Sequence, residues 1–221
     1  MASPIIISID GNIGAGKSTL CAKLAESLPQ ITVVQEPVGT WEKLIDEDGT
    51  NLLSHFYKDT TRWAYTFQNC AILTRLLNTF DALKTCETEI AKGSSKMPVI
   101  LSERSVLTDR YVFAEMMKES KHMNKIEWDL YMTWFEHFAS KLPIKGIIHV
   151  TTSPEISKER IMKRGRVGEE SIDLKYLVDL DIQHNKWLTT TSLPVLNVST
   201  EEDIDTNISK ILAFIQTILD S

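Results

Sequence analysis

The sequence has few cysteines, no long apolar run and no excess of basic residues. Its 221 residues include three cysteines, an odd number that argues against a disulfide framework and for a reducing compartment. No stretch reaches the roughly 20 apolar residues of a membrane-spanning helix, so no membrane partner is expected. The net charge of −6 disfavours a general affinity for nucleic acid polymers. Any affinity for phosphate groups must therefore be local.

The N-terminal segment has the pattern of a buried strand rather than of a targeting signal. Residues 5–9 form a short β-branched run that is followed at once by turn residues. The basic segment and the longer apolar stretch of a signal peptide are both absent. We therefore expect a cytoplasmic protein.

Short apolar runs alternate with helical patterns along the whole chain. This alternation predicts an α/β fold in which a five-stranded parallel sheet carries helices on both faces. No linker divides the chain, so we expect one domain over residues 1–221. The five predicted strands cover residues 5–9, 31–34, 99–102, 146–151 and 195–198.

The longest apolar stripe lies in the helical region between the second and third predicted strands. A stripe of this kind indicates the buried face of a helix. Its members are Trp63, Phe67, Leu73, Leu76, Leu77, Phe80 and Leu83.

A glycine-rich segment after the first strand, residues 11–18, matches G-x-x-x-x-G-K-[ST] at every required position; we call it the phosphate loop. Glycines let successive backbone N–H groups surround a phosphate, and the following helix adds its positive end. Lys17 is expected to reach the β- and γ-phosphates, and the Ser18 hydroxyl to ligate Mg²⁺. The segment therefore predicts a nucleoside triphosphate site formed by Gly11, Asn12, Ile13, Gly14, Ala15, Gly16, Lys17, Ser18 and the adjoining Thr19.

Two common classes of protein with such a loop do not fit the rest of the chain. A GTPase needs an Asn-Lys-x-Asp base reader, and the nearest string, residues 185–188, lacks the aspartate. A motor or ATPase usually ends a strand in Asp or Asp-Glu, whereas the third strand here leads into Glu103-Arg104-Ser105. A carboxylate and a guanidinium beside the phosphates suit transfer to a small acceptor.

The second strand leads into Glu36 and Pro37, with Trp41 beyond. Because ligands of doubly wound sheets lie off the carboxyl ends of the strands, Glu36 and Glu103 are expected in one crevice. Glu36 can accept the proton of an attacking hydroxyl, and Glu103 suits Mg²⁺, directly or through water. The alternative for Glu36 alone is a solvated turn acid before Pro37.

Gln68, Ala71 and Arg75 share one face of the helix that follows. The small Ala71 leaves room, and the donors and acceptor of Gln68 match the mixed edge of a nucleobase. Arg75 needs a partner if it is buried, and Asp109 is the candidate. The alternative is an exposed polar stripe.

Three arginines, Arg160, Arg164 and Arg166, follow the fourth strand. Arg160 and Arg164 share a helix face, and Gly165 lets Arg166 turn in beside them. Guanidinium groups of this kind stabilise the charge on a transferring phosphoryl group. A basic helix end that interacts only with its own dipole is the alternative.

Together these segments resemble the deoxynucleoside kinase family, especially its deoxycytidine and deoxyguanosine kinase branch. The resemblance covers nearly the whole chain and is highly specific. It is carried by residues 11–19, Glu36-Pro37-Val38 with Trp41, Arg62-Trp63 with Thr66-Phe67-Gln68, Glu103-Arg104-Ser105, residues 109–113 and Arg164-Gly165-Arg166.

The resemblance implies a P-loop kinase fold, ATP with Mg²⁺, a deoxyribonucleoside acceptor, a homodimer and feedback inhibition by a deoxynucleoside triphosphate. Glu36 would be the base for the 5′-hydroxyl, with Arg104 beside it and Glu103 on Mg²⁺. Arg160, Arg164 and Arg166 would belong to a lid over about residues 160–172. The acceptor pocket would comprise Trp41, Tyr57, Phe67, Gln68, Ala71, Arg75, Asp109, Phe113 and Glu169.

One departure from the family pattern concerns the acid that contacts the sugar. The family usually has two adjacent acids soon after the last lid arginine, whereas Val167-Gly168 precede Glu169-Glu170 here. Either glutamate could therefore contact the 3′-hydroxyl together with Tyr57.

Two rival functions differ from this one in testable ways. A thymidylate kinase has an acceptor that already carries a phosphate and does not need a carboxylate base such as Glu36. A non-catalytic nucleotide switch would not need the full set of Lys17, Glu36, Glu103 and the arginines. An Arg75–Asp109 pair beside the base would disfavour the 5-methyl group of thymine, so we expect cytosine, adenine or guanine to be preferred.

Overall fold

The computed structural model describes residues 3–221 and contains one sheet of five parallel strands. The strands are β1 (Ile5–Asp10), β2 (Thr32–Val34), β3 (Val99–Glu103), β4 (Ile144–Thr151) and β5 (Val195–Ser199). All five predicted strands are present, and their order across the sheet is β2-β3-β1-β4-β5. The predicted α/β fold with a five-stranded parallel sheet is confirmed.

Ten α-helices connect and flank the strands within the described part of the chain. A π-helical segment, Asp109–Ala114, follows α5, and a 3₁₀ turn, Glu169–Ser171, precedes α9. The helices are α1 (Lys17–Ser27), α2 (Val38–Lys43), α3 (Leu52–Lys58), α4 (Thr60–Ala91), α5 (Val106–Thr108), α6 (Glu115–Glu119), α7 (Lys125–Ala139), α8 (Pro154–Arg164), α9 (Leu174–Thr190) and α10 (Ile204–Leu219).

Each face of the sheet has its own hydrophobic core. On one face Ile6 of β1, Ile100 of β3 and Ile147 of β4 pack with α4, α7 and α9. On the other face Ile7 and Leu101 pack with α1 and α10. Because both faces are covered, the strands carry apolar residues on both sides of the sheet, as parallel strands usually do.

The strand register sets which residues meet at the carboxyl edge of the sheet. Ile9 of β1 lies beside Glu103 of β3, and Asp10 lies beside His149 of β4. The phosphate loop leaves β1 at this point, in the centre of the sheet. It is therefore flanked by the residues that follow β3.

The stripe predicted for the long helix is wrong at two positions. Leu73 is 39% exposed and Leu77 is 65% exposed. The 32 residues of α4 span about 48 Å, so this helix is much longer than the strands. It buries a face that includes Phe67, Gln68 and Arg75, and the apolar residues outside that face are left uncovered.

Within residues 3–221, no helix combines the length and the apolar character that a bilayer crossing requires.

Gly146 of β4 sets how closely α10 approaches the sheet. A Cβ atom at this position would lie 2.4 Å from Ile218 Cδ1 and 3.2 Å from the ring of Phe214. We expect Gly146→Val to lower the free energy of unfolding by about 1–3 kcal/mol, because the side chains of Ile218 and Phe214 must move to admit the new one. Urea denaturation measures the change.

Gly39→Ala is the matched control, since nothing lies within 4 Å of the added methyl group. A Gly146→Val protein that is as stable as this control would show that the α10 packing is not tight.

Candidate active site

A cavity of about 550 Å³ lies at the carboxyl edge of the sheet. Nearly all of the site residues predicted from the sequence line it. Gly11, Asn12 and Ala15 are the exceptions, and they belong to the phosphate loop itself. Residues from the loop, from α4 and from the lid (residues 160–172) are thus brought to one place from distant parts of the chain.

The phosphate loop passes too close to its neighbours for any residue but glycine at two positions. A Cβ on Gly11 would lie 2.4 Å from the Val150 carbonyl oxygen, and one on Gly14 would lie 2.4 Å from that of Ser157. Both glycines have positive φ angles, as does Gly16. Gly16 precedes α1 and supplies no side-chain cap. The first N–H groups of α1 are therefore left for an anion.

The side chain of Asn12 binds protein rather than the cavity. Its Oδ1 accepts from the backbone N–H of Ile13, and its Nδ2 donates to the Leu177 carbonyl at 2.8 Å. Asn12 therefore ties the phosphate loop to α9.

Lys17 is almost fully buried, and its Nζ donates to the carbonyls of Gly11 and Asn12 at 3.1 and 2.7 Å. Burial, together with the nearby Arg104 guanidinium, lowers the pKa of this amine to about 7, against the opposing effect of Glu103. An anion that entered the loop would raise the pKa again.

Ser18 and Glu103 lie together beside the phosphate loop. The Ser18 hydroxyl donates to Glu103 Oε1 at 2.7 Å, and Glu103 Oε2 lies 3.5 Å from the backbone nitrogen of Glu36. Within residues 3–221 no cluster of three or more His, Cys, Asp or Glu could hold a metal on its own. One hydroxyl and one carboxylate fit Mg²⁺, which usually keeps several waters and binds substrate phosphates.

Glu36 is held between two buried arginines. Arg104 Nη1 donates to its two carboxylate oxygens at 2.8 and 2.6 Å, and Arg75 Nη2 donates to Oε1 at 2.9 Å. Burial by itself would raise the pKa of Glu36, but Arg104, Arg75 and Lys17 outweigh it and lower the pKa to about 2. Glu36 is therefore an ionised carboxylate at neutral pH.

Arg75 connects Glu36 to Asp109. Asp109 is the partner that the sequence predicted for Arg75. Its Nε and Nη2 donate to the two oxygens of Asp109 at 2.8 and 3.2 Å, and its Nη1 donates to the Glu103 carbonyl at 2.9 Å. Arg75 and Asp109 are each about 2% exposed. A bidentate pair of this kind holds both side chains in one orientation.

Arg104 has a strained backbone. Its φ angle is +60°, in the left-handed region that non-glycine residues rarely adopt. Its N–H donates to the Ile9 carbonyl at 2.9 Å, so the end of β1 holds this conformation in place. The guanidinium also lies 4.8 Å from the centre of the Phe113 ring.

The π-helical segment brings Asp109 and Phe113 to the cavity. It follows the short α5, whose start is capped by Ser105. The Thr108 hydroxyl donates to the buried carboxylate of Asp10, which joins this segment to the end of β1. π-Helical turns are rare and often occur at functional sites.

Gln68 is 1% exposed, and neither its amide nitrogen nor its amide oxygen has a hydrogen-bond partner among the described residues. Buried amides are usually paired, so this one is available to a ligand. Nearby, Trp41 donates from its indole to Thr74 at 3.0 Å and contacts the Phe67 ring edge-on. Burial raises the pKa of Tyr57, which also lines the cavity.

The lid arginines are paired in different ways. Arg160 donates to the Ala15 carbonyl at 3.2 Å and to Thr200 at 2.9 Å, which places it against the phosphate loop. Arg164 and Arg166 donate to the two oxygens of Glu169 at 2.5 and 2.8 Å.

The two candidate glutamates of the lid differ in burial. Glu169 is 3% exposed and lines the cavity, whereas Glu170 is exposed and does not line it. Between the two alternatives that the sequence left open, the geometry favours Glu169.

Two acids near the cavity were not foreseen from the sequence. Asp10 is fully buried at the end of β1, and Glu42 of α2 lines the cavity and pairs with Arg166 at 3.3 Å. A helical reading of residues 38–43 would have placed Val38 and Glu42 on one face, next to Trp41. Burial of Asp10 has no signal in the local sequence.

Comparison with known proteins agrees with this geometry. The family model described as "Deoxynucleoside kinase" matches residues 7–220. Deoxycytidine kinase 2 from Gallus gallus is 40% identical over 205 residues, which cover 86% of this chain and 76% of that protein. Deoxycytidine kinase from Homo sapiens is 34% identical over 242 residues, and the match covers 96% of this chain and 91% of that protein. The mitochondrial deoxyguanosine kinase of Xenopus laevis is 32% identical over 225 residues, and the match covers 91% of this chain and 83% of that protein.

These similarities extend over most of the chain and confirm the resemblance and the P-loop kinase fold predicted from the sequence. The chain belongs to the deoxynucleoside kinase family.

Proposed function

We propose that this deoxynucleoside kinase transfers the γ-phosphoryl group of ATP to the 5′-hydroxyl of a deoxyribonucleoside. One observation carries the proposal: the ionised Glu36, held by Arg104 and Arg75, opens onto the same cavity as Lys17 and the lid arginines. A hydroxyl placed at Glu36 would lie opposite a phosphate held by the loop. The products would be ADP and a deoxynucleoside monophosphate.

The low pKa of Glu36 fits phosphoryl transfer. Because the transition state is loose, the hydroxyl must be oriented more than it must be deprotonated early. In the proposed reaction Glu36 accepts a hydrogen bond from the 5′-hydroxyl and takes its proton as the new P–O bond completes. Arg104 keeps the carboxylate in place, and Lys17 and the lid arginines stabilise the charge on the phosphoryl oxygens.

Ser18 and Glu103 are the residues that would hold Mg²⁺. Bound there, the ion would neutralise charge on the β- and γ-phosphate oxygens. The hydrogen bond between the two side chains keeps their oxygens adjacent.

The acceptor pocket offers separate contacts for sugar and base. Tyr57 and Glu169 are proposed to bind the 3′-hydroxyl, since both line the cavity. The unpaired amide of Gln68 is proposed to bind the edge of the base, and Phe113 to stack on it.

A second cavity, of about 330 Å³, is proposed to receive the nucleoside of ATP. It adjoins the phosphate loop at Gly16 and shares Arg160 with the main cavity. Its other walls include Thr200 and Asn207. A triphosphate in the loop could therefore reach both cavities.

The chain is also proposed to act as one kinase domain within a homodimer. Two helices that pack together, α4 and α7, leave apolar side chains uncovered. A second copy would remove this surface from water. The exposed residues are Leu73, Leu77, Ile126, Leu130 and Trp134. Cytoplasmic location stays a prediction from the sequence, and feedback inhibition stays an implication of the family resemblance.

Glu36→Gln tests the proposed base. We expect kcat to fall by about 100-fold or more with a modest change in KM, because hydroxyl orientation and proton acceptance act mainly in the transition state. Steady-state kinetics with ATP and deoxycytidine measure both constants. Glu87→Gln, an exposed glutamate on α4, is the matched control. A Glu36→Gln enzyme with near wild-type kcat would remove Glu36 from this role.

The pair of Arg75 and Asp109 leads to a prediction about base preference. The charged pair would have to be desolvated against the 5-methyl group of thymine, whereas an amino-bearing base gives Asp109 a donor. We expect deoxycytidine, deoxyadenosine or deoxyguanosine to exceed thymidine by at least ~10-fold in kcat/KM, about 1.4 kcal/mol of discrimination. A substrate panel at fixed ATP measures the ratios.

Replacing both partners, Arg75→Met with Asp109→Ala, should shift the ratio toward thymidine. Each single change should do worse because it leaves one charge buried and unpaired. Since Arg75 also binds Glu36, kcat should fall for every substrate, and the ratio is the informative quantity. Including thymidine monophosphate tests the thymidylate kinase alternative, and Lys17→Ala gives the background rate. A wild-type preference for thymidine would contradict the pairing argument.

The pKa of Lys17, about 7 in the free protein, predicts proton uptake when ATP binds. At pH 8 most of this amine is neutral, and the bound phosphates would raise its pKa and draw in about one proton. At pH 6 the amine is already charged, so it should contribute little. Titration calorimetry in buffers of different ionisation enthalpy measures the uptake. Lys17→Gln should lose the uptake at pH 8, and an unchanged value in this variant would exclude Lys17 as its source.

A further inference from the structure

The lid contacts elements that lie on the acceptor side of the cavity. Arg166 Nε lies 3.3 Å from Glu42 Oε1 of α2. Gly168 lies against Ser54 of α3. These contacts join the segment between α8 and α9 to two helices that precede it by more than 100 residues.

The contact at Gly168 is a close one. Its φ angle is +93°, and a Cβ there would lie 2.7 Å from Ser54 Oγ and 2.9 Å from Ser54 Cα. Only a residue without a side chain allows this approach. The lid therefore docks on α3 at a fixed distance.

Arg166 is shared between two carboxylates. Glu169 accepts from its Nη1 at 2.8 Å, and Glu42 pairs with its Nε. Because the guanidinium is planar, contacts at two of its nitrogens set the orientation of the whole group. Glu169 belongs to the lid itself, so Glu42 is the contact that relates Arg166 to the rest of the cavity.

The Glu42–Arg166 pair contributes little to folding stability. The Glu42 side chain is 40% exposed and that of Arg166 is 28% exposed. Pairs with this much solvent contact usually add little to the free energy of unfolding. The Glu42–Arg166 contact is better explained by an effect on the position of the lid than by an effect on folding stability.

Glu42 lies on a rigid part of the acceptor side. The adjacent Trp41 is buried and anchored to Thr74 of α4. Helix α2 begins two residues after Glu36, so Glu36 and Glu42 are carried by one short segment. If Glu42 holds the lid, it therefore also fixes the position of the lid relative to Glu36, the carboxylate proposed to bind the acceptor hydroxyl.

We propose that Glu42 is a positioning residue that holds Arg166 of the lid against α2, over the site of phosphoryl transfer. The catalytic part of this inference rests on the proposed function. Its structural part, that Glu42 holds the lid, does not.

The experiment compares Glu42→Lys and Glu42→Gln with Glu87→Lys, a charge reversal at an exposed position on α4. Hydrogen exchange by mass spectrometry is measured first, without ligands. We expect faster amide exchange over residues 165–172 in Glu42→Lys, a smaller increase in Glu42→Gln, which keeps an acceptor oxygen, and no change in Glu87→Lys. Melting temperatures should stay close to that of the wild type.

Kinetics with ATP and deoxycytidine are measured on the same proteins. We expect kcat of Glu42→Lys to fall about fivefold with little change in the KM for deoxycytidine, and Glu42→Gln to recover part of the loss. Glu87→Lys should match the wild type.

Unchanged exchange over residues 165–172 in Glu42→Lys would overturn the inference whatever the activity. Faster exchange across the whole chain with a lower melting temperature would also overturn it, since Glu42 would then be merely structural. A looser lid with wild-type kcat would overturn the positioning role. If the wild type phosphorylates no deoxynucleoside, the proposed function fails, and the exchange comparison still decides whether Glu42 holds the lid.

Discussion

The site depends on one buried network of charges, in which Arg75 and Arg104 share the carboxylate of Glu36 and Arg75 also binds Asp109. These four groups come from the end of β2, from α4, from the residue after β3 and from the π-helical segment. None of them could be buried alone without a large desolvation cost. Their mutual pairing therefore fixes how these four parts of the chain meet around the cavity.

The same network determines the protonation states of the cavity. Two guanidinium groups keep Glu36 ionised, while burial and Arg104 lower the pKa of Lys17 toward neutrality. The cavity thus holds an ionised carboxylate at Glu36 and an amine at Lys17 that can gain a proton. The strained backbone of Arg104 is tolerated because the Ile9 carbonyl of β1 binds its N–H and the Glu36 carboxylate binds its guanidinium.

The lid contacts α2 and α3 through two different kinds of interaction. Gly168 gives a steric contact with α3, and Arg166 gives an ionic contact with α2. Glu169 links Arg164 to Arg166 and lies near Tyr57, which lines the same cavity. Arg160, in contrast, stays on the phosphate loop.

The sequence by itself determined the five strands, the phosphate loop and the family, because each depends on local pattern: β-branched runs, glycines at fixed spacing and short motifs. It also indicated the pairing of Arg75 with Asp109, since a buried arginine needs a carboxylate.

The tertiary structure alone decided the exposure of Leu73 and Leu77, the π-helical turn that carries Asp109 and Phe113, the burial of Glu169 beside an exposed Glu170, and the contact between Glu42 and Arg166. Each of these depends on which surfaces meet when distant segments pack. The exposed fraction of a side chain and the partner that a surface residue such as Glu42 meets are properties of the packed chain, and local patterns do not encode them.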